Sequence, residues 1–402
     1  MIYDALIVGA GPAGSTTALL LARAGWSVAL VEKTPFPRRK VCGEFISAHT
    51  LSLLAGIGLD GIVACAGPEI REVAVYAGER MLAAPMPRAD GLFAYGRALG
   101  RDRLDAALLE AARGAGATVY QPWRVHGYAP EGDRFVCTVS APERSKRLEL
   151  PSRVLIAAHG SWDSGPLEKG AKLEARKSRR TALSGFLAFK AHFTGATLAR
   201  ERMPLLAFAG GYGGLVSTDR GRVTFSCCIR RDALARCRAA LPDVPAGEAV
   251  LAHVLATCRG AREALGGARR DESWLAAGPL RPGLRRLCGD GYFAVGNALG
   301  EAHPIVAEGI SMAIQSAFLL CARLTAVPRT ATTACWNAAA RGYEAAYRAQ
   351  FAPRIHAASV FAAISTRPRI AATAAGMLEA APALLAFGAR CAGKSAALRR
   401  AP

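Results

Sequence analysis

The sequence predicts an α/β fold. It should contain a doubly wound parallel sheet of Rossmann type, a mixed β-sheet domain beside it and a helical C-terminal tail. Three observations point there. The chain opens on an apolar run of strand length, Ile2 to Val8, followed by Gly9-Ala10-Gly11-Pro12-Ala13-Gly14 and a helical pattern through Ala24. A second apolar strand, Val28 to Val31, ends on Glu32, 18 residues beyond Gly14. Two more fully apolar runs, 154–158 and 292–295, have the look of strands buried on both faces.

The opening unit is a strand, a glycine loop, a helix and a strand with an acid in register, the arrangement that binds a dinucleotide. Gly9 permits the tight turn, Gly11 lets backbone approach a pyrophosphate, and Gly14 lets helix and strand pack closely. Pro12 and Ala13 begin a helix whose unpaired N–H groups and positive dipole end suit phosphates. Glu32 can accept the ribose hydroxyls of an adenosine and repels a 2′-phosphate; Lys33 follows it.

Next come a loop, a helix at about 47–54, short strands within 69–95 and a helix from Leu104 to Arg113 closed by Gly114-Ala115-Gly116. Alternating segments near 118–126, 133–140 and 146–150 suggest a small meander. Residues 183–232 are rich in strand-like runs, and 246–265 return to helix. Gly309 to Leu324 is a strongly apolar helix. Beyond 330 the pattern is Ala-rich helix broken at Pro353, Pro368 and Pro382.

Composition bounds the class. A 51% hydrophobic fraction over 402 residues excludes disorder. The eleven cysteines hold no CxxC pair, so neither a zinc ribbon nor a disulfide framework is expected, and no metal site. No leader pattern precedes the first strand, which predicts a cytoplasmic protein. The net charge of +20 comes from 43 arginines and eight lysines. It reads either as attraction to an acidic partner or as basic residues scattered over the surface. No basic stripe with interleaved aromatics appears, so nucleic acid is not an expected partner; Arg176-Lys177-Ser178-Arg179-Arg180 is the densest run.

Two further motifs accompany the glycine loop. One is Arg38-Arg39-Lys40-Val41-Cys42-Gly43-Glu44. The other is Gly296-Asn297-Ala298-Leu299-Gly300-Glu301-Ala302-His303-Pro304 with Glu308-Gly309-Ile310. Together the three resemble the flavoprotein family of p-hydroxybenzoate hydroxylase-like monooxygenases, flavin-dependent halogenases and geranylgeranyl reductases, nearest in motifs to the last. The resemblance spans roughly residues 1 to 325. It implies a glutathione reductase-type FAD domain from 1–70, 96–170 and 283–325, a substrate domain from 71–95 and 171–282, and a helical region over 326–402.

The resemblance also implies roles. Lys40, Cys42 and Gly43 belong to the basic-Cys-Gly loop of the reductase and halogenase branches; Cys42 is either a thiol near the flavin or a packed loop residue. Arg101 is similar to the family arginine beside the cofactor, with a helix-start salt bridge as the alternative. Val125 follows a strand that contacts adenine in relatives. Asn297 stands where the family usually has Asp and keeps an acceptor for a ribityl hydroxyl. Gly300 completes the loop, and Gly309-Ile310 open a helix whose dipole favours negative charge on the reduced ring. Pro304 lies along the flavin face. His303, in the same loop, is the best candidate for a proton donor or substrate anchor, with loop packing as the alternative.

The chain also departs from the family. His159-Gly160 replaces the Asp-Gly pair of many hydroxylases, which puts direct binding of NADPH or NADH as electron donor in doubt. The halogenase W-x-W-x-I-P motif is absent. The reductase's aromatic signature is replaced by Gly211-Tyr212-Gly213-Gly214-Leu215, read either as room for an elongated substrate or as a hairpin turn. The leading expectation is an FAD-dependent monooxygenase acting on an aromatic or polyketide-like apolar substrate. The alternatives are a reductase of C=C bonds in a lipid or prenyl chain, and a non-catalytic flavin-binding protein. Basic residues flanking the apolar tail, among them Arg390, Lys394, Arg399 and Arg400, suggest a substrate presented by an acidic carrier or lipid surface, with peripheral membrane contact.

Overall fold

The computed structural model describes residues 1–142, 147–160, 185–285 and 288–380, with Gly388 and Gly393 beyond them. The basic run 176–180 and the tail residues Arg390, Lys394, Arg399 and Arg400 lie outside the described residues.

Among the described residues, two large sheets organise the chain. The first runs in the order Thr118–Tyr120, Val28–Val31, Tyr3–Val8, Leu148–Ala157, Arg134–Ser140, Arg124–Glu131, with Tyr292–Ala294 beside the end of Leu148–Ala157. The neighbours of Tyr3–Val8 are parallel to it, with Val8 opposite both Val31 and Ala157. Leu6, Ile7, Leu30, Leu155, Ile156 and Phe293 are fully buried there, as continuous apolar strands demand. The helices Pro12–Arg23 and Gly309–Leu324 pack together, which brings the first and third motifs to the same end of this sheet.

The second sheet runs Arg269–Arg270, Phe186–Thr194, Val223–Arg230, Gly211–Ser217, Arg202–Phe208, Glu72–Ala77, Arg80–Pro85, with Leu275–Ala277 also on Phe186–Thr194. Glu72–Ala77 lies parallel to Arg202–Phe208, so residues 72–85 are carried into this sheet across a long stretch of sequence.

Several expectations change. The segments 146–150 and 154–158 form one strand, Leu148–Ala157, despite Pro151. Pro151 stands opposite Val136 in the antiparallel ladder with Arg134–Ser140, and the strand continues through it. Gly211-Tyr212-Gly213-Gly214 is not a hairpin turn but the start of Gly211–Ser217, a central strand. Pro353 does not break its helix, which runs from Thr333 to Ser365. Phe351, Arg354 and Ile355 around it are almost wholly buried, and that packing offsets the roughly 3 kcal/mol cost of an interior proline. The helix Arg231–Ala240 was not foreseen. No helix of the described residues is long and apolar enough to cross a membrane.

Candidate active site

The carboxyl ends of the first sheet's parallel strands open into a cavity of about 630 Å³, where doubly wound folds bind ligands. Gly9, Gly11, Pro12 and Ala13 form one wall. Gly9 sits at φ +104°, and a Cβ there would come within 2.7 Å of the Ala158 carbonyl oxygen. Gly11 is the last residue before the helix, and the nearest atom its Cβ would meet is Arg101 Nη2 at 4.0 Å, so the space above it is the cavity itself. Gly14 does not line the cavity; its Cβ would fall 1.9 Å from the Gly9 carbonyl oxygen. Its task is the close approach of helix to strand that the sequence predicts for it.

Glu32, Lys33, Lys40 and Arg101 give this end of the cavity its charge. Glu32 Oε2 accepts from the Ala10 amide at 2.9 Å, and Oε1 accepts from the Thr34 amide at 2.9 Å and Arg38 Nη1 at 2.6 Å. Arg38 lies over Phe36, so a cation already covers the carboxylate offered to a ribose. Burial, and then repulsion by Arg38 and Arg101, push the Lys40 ammonium below its ordinary pKa. Arg101 forms a fork with Asp105, Nε to Oδ1 at 2.7 Å and Nη2 to Oδ2 at 2.8 Å, while lining the cavity. The helix-start salt bridge is therefore present, on a side chain that also lines the cavity. Val125 lines the cavity beside Trp123, whose amide donates to the Glu32 carbonyl at 2.8 Å.

The third motif supplies the opposite wall. Asn297, His303, Pro304, Gly309 and Ile310 all line it. The Asn297 carbonyl accepts from Arg285 Nη1 at 2.6 Å, which fixes the turn Gly296–Ala298. Gly300 does not reach the cavity: its carbonyl accepts from the Tyr347 hydroxyl at 3.1 Å, and a Cβ would lie 2.8 Å from that oxygen. It is a seat for the tail helix. His303 is buried against Phe186, and its Nδ1 lies 3.0 Å from the Tyr212 hydroxyl. Burial pushes its pKa down to about 4, so at neutral pH the ring is uncharged and is not a cationic acid. Burial raises the Tyr212 phenol well above its ordinary value, so that hydroxyl keeps its proton.

Beside Cys42, Gly43, Phe45, Pro304 and Ala307 the wall is shared with a second cavity of about 80 Å³. This apolar arm lies between the 41–45 loop and the second sheet, and Ala188, Met203, Leu205, Tyr212, Gly213 and Gly214 line it. Gly214 spares space there: its Cβ would meet the Pro204 carbonyl oxygen at 3.1 Å.

The residues present fit FAD. The glycine loop leaves open backbone that would take a diphosphate, Glu32 would meet the adenosine, and a helix N-terminus at Gly309 lines the cavity away from them. The profile of the FAD binding domain family matches residues 2–345. The chain belongs to the FAD binding domain family. It is an FAD-dependent oxidoreductase, and the cavity described above is the candidate site for its flavin. The menaquinone reductase of Mycobacterium tuberculosis is 27% identical over 324 residues, 78% of this chain and 74% of that protein. Kynurenine 3-monooxygenase of Stenotrophomonas maltophilia is 32% identical over 201 residues, 46% of this chain and 40% of that protein. The fold matches the crystal structure of a geranylgeranyl bacteriochlorophyll reductase-like protein of Thermoplasma acidophilum with a TM-score of 0.72. That match has 18% identity and covers 91% of this chain and 88% of the other.

Sequence reasoning missed Tyr212 and Arg38 as parts of the site and gave Glu44 no role of its own. Arg38 and Glu44 stood inside a quoted motif, but their partners are distant in sequence. Tyr212 had only the surrounding glycines to mark it.

Proposed function

We propose that this oxidoreductase reduces a carbon–carbon double bond in an apolar chain of the prenyl or lipid type. The apolar arm carries the reading. Its lining among the described residues holds no charged side chain, and it adjoins the flavin cavity at Pro304. An engineered cavity of about 150 Å³ accepts benzene. At about 80 Å³ the arm suits a branched chain end better than an aromatic ring. The relative matched over 78% of this chain is named for reduction, which supports the same reading.

Bound FAD supplies the two electrons. The chain's own residues do the rest. The glycine loop and Glu32 hold the dinucleotide end, and Asn297 and the Gly309 helix start hold the other. The arm excludes water, and the Tyr212–His303 pair presents a proton at the junction. The second C–H bond of the product takes such a proton. An external two-electron donor restores the flavin, and His159-Gly160 argues for slow direct reduction by NADPH or NADH alone.

A second reading, hydroxylation of an aromatic substrate, is favoured by the Phe186, Tyr212 and His303 rings at the junction and by the kynurenine 3-monooxygenase match. One experiment separates the two. Holoenzyme is given a prenyl lipid, a chemical reductant and ¹⁸O₂, and products are read by mass. A gain of two hydrogens without ¹⁸O supports the reductase, whereas ¹⁸O in the product overturns it.

A further inference from the structure

Glu44 lies within the second motif, yet what it binds belongs to the other sheet. Its side chain is 1% exposed, and its backbone adopts φ +64°, a left-handed conformation that costs a non-glycine residue of order 1 kcal/mol. The carboxylate holds it there. Oε1 accepts from the Arg101 amide at 2.9 Å and from Lys190 Nζ. Oε2 accepts from Thr224 Oγ1 at 2.6 Å and lies 2.9 Å from His192 Nε2. Lys190 and His192 sit on Phe186–Thr194 and Thr224 on Val223–Arg230, so three of the four contacts tie this loop to the second sheet. The Glu44 amide in turn donates to Cys42 Sγ at 3.3 Å.

A chain of groups also leads outward from here: His192 Nδ1 lies 3.5 Å from Glu272 Oε2, a partly exposed carboxylate. A proton relay through it would need Glu44 to take up the proton. Burial raises the Glu44 pKa, but the His192 hydrogen bond and the Lys190 charge outweigh it and hold the carboxyl well below the usual range. A group so reluctant to protonate is a fixed anion and not a shuttle.

We propose that Glu44 is a positioning residue. It clamps the loop carrying Cys42 and Gly43 onto the second sheet and thereby sets the wall shared by the flavin cavity and the apolar arm. Its ionic partners are satisfied inside the protein, so removing one side leaves a buried charge unpaired and frees the loop. The consequence for substrate rests on reading the arm as the chain's seat; the consequence for the loop does not.

The test measures the alkylation rate of Cys42 by iodoacetamide in the FAD-loaded protein, localised by peptide mass. Glu44→Gln strands the Lys190 ammonium and should raise that rate by about tenfold with flavin still bound, as local opening costs less. Glu44→Gln combined with Lys190→Met removes both charges and should return the rate toward wild type. Thr224→Val removes one contact and should give a smaller rise. A wild-type rate in Glu44→Gln overturns the clamp; if that variant does not fold, a wild-type rate in Thr224→Val does so. A raised rate with an unchanged KM for a prenyl substrate leaves the clamp standing and removes the arm as the substrate's seat.

Discussion

The flavin cavity and the apolar arm share Cys42, Gly43 and Pro304, yet they are assembled in opposite ways. Much of the cavity wall comes from short motifs that end a buried parallel strand or start a helix, such as 8–13 and 309–313, joined by the 38–43 loop and by 276–278 of the second sheet. The arm is assembled from positions 188, 203, 205, 212–216 and 226–228, brought together by antiparallel pairing, and closed by 41–43, 45, 304, 305 and 307. A motif-built wall has a chemistry fixed by backbone conformation, since glycine and helix termini act through main-chain atoms. An arm built by pairing has a chemistry fixed by side-chain volume. The first kind should tolerate no added atom, and the second should trade specificity for size.

The largest expected effect tests the cavity. Gly11→Val places a branched side chain in open space that the dinucleotide needs, and FAD affinity should fall by at least about 100-fold. Titration of apo-protein checks this, and wild-type affinity would break the contrast at its first term.

The junction comes next. His303 has its pKa lowered to about 4 by burial, whereas an unfolded histidine titrates near its ordinary value of 6.5. Between these two values the unfolded chain binds more protons than the native one. Stability should therefore rise with pH from about 4 to about 6.5 and level off above, with His303 accounting for about 3 kcal/mol of the rise. Urea midpoints of wild type and His303→Asn at pH 4.5 and 7 measure it. An identical pH slope in both proteins would show that His303 carries no part of it.

The arm should respond more mildly. Ala188→Leu adds methyl carbons to a space of about 80 Å³, so KM for a prenyl substrate should rise by about tenfold while FAD affinity stays put. Loss of flavin in that variant would show the two regions to be one unit.

An effect of the same size as the arm's sharpens the cavity's far end. Asn297→Asp brings a carboxylate to the wall and should lower the flavin potential by roughly 30 mV, the two-electron equivalent of about 1.4 kcal/mol, with FAD still bound. An unchanged potential would place residue 297 away from the ring.

The sequence by itself determined the doubly wound sheet, the dinucleotide loop and most of the flavin wall. Gly11 acts through local backbone that its neighbours already specify, and Glu32 sits in register because a strand of known length carries it there. Gly14 was legible as a glycine that lets helix and strand pack closely, whereas Gly300 was not legible as a seat for the tail helix, because Tyr347 is far away in sequence. Only the tertiary structure decided that Gly211–Ser217 is a central strand, that Pro353 sits inside a helix, and that Tyr212 meets His303. Only it decided that Glu44 is held by Lys190, His192 and Thr224, 146 to 180 residues away. Local periodicity and glycine spacing encode what a segment can become. Which side chain ends up against which is settled when antiparallel register and burial select one pairing for the whole chain.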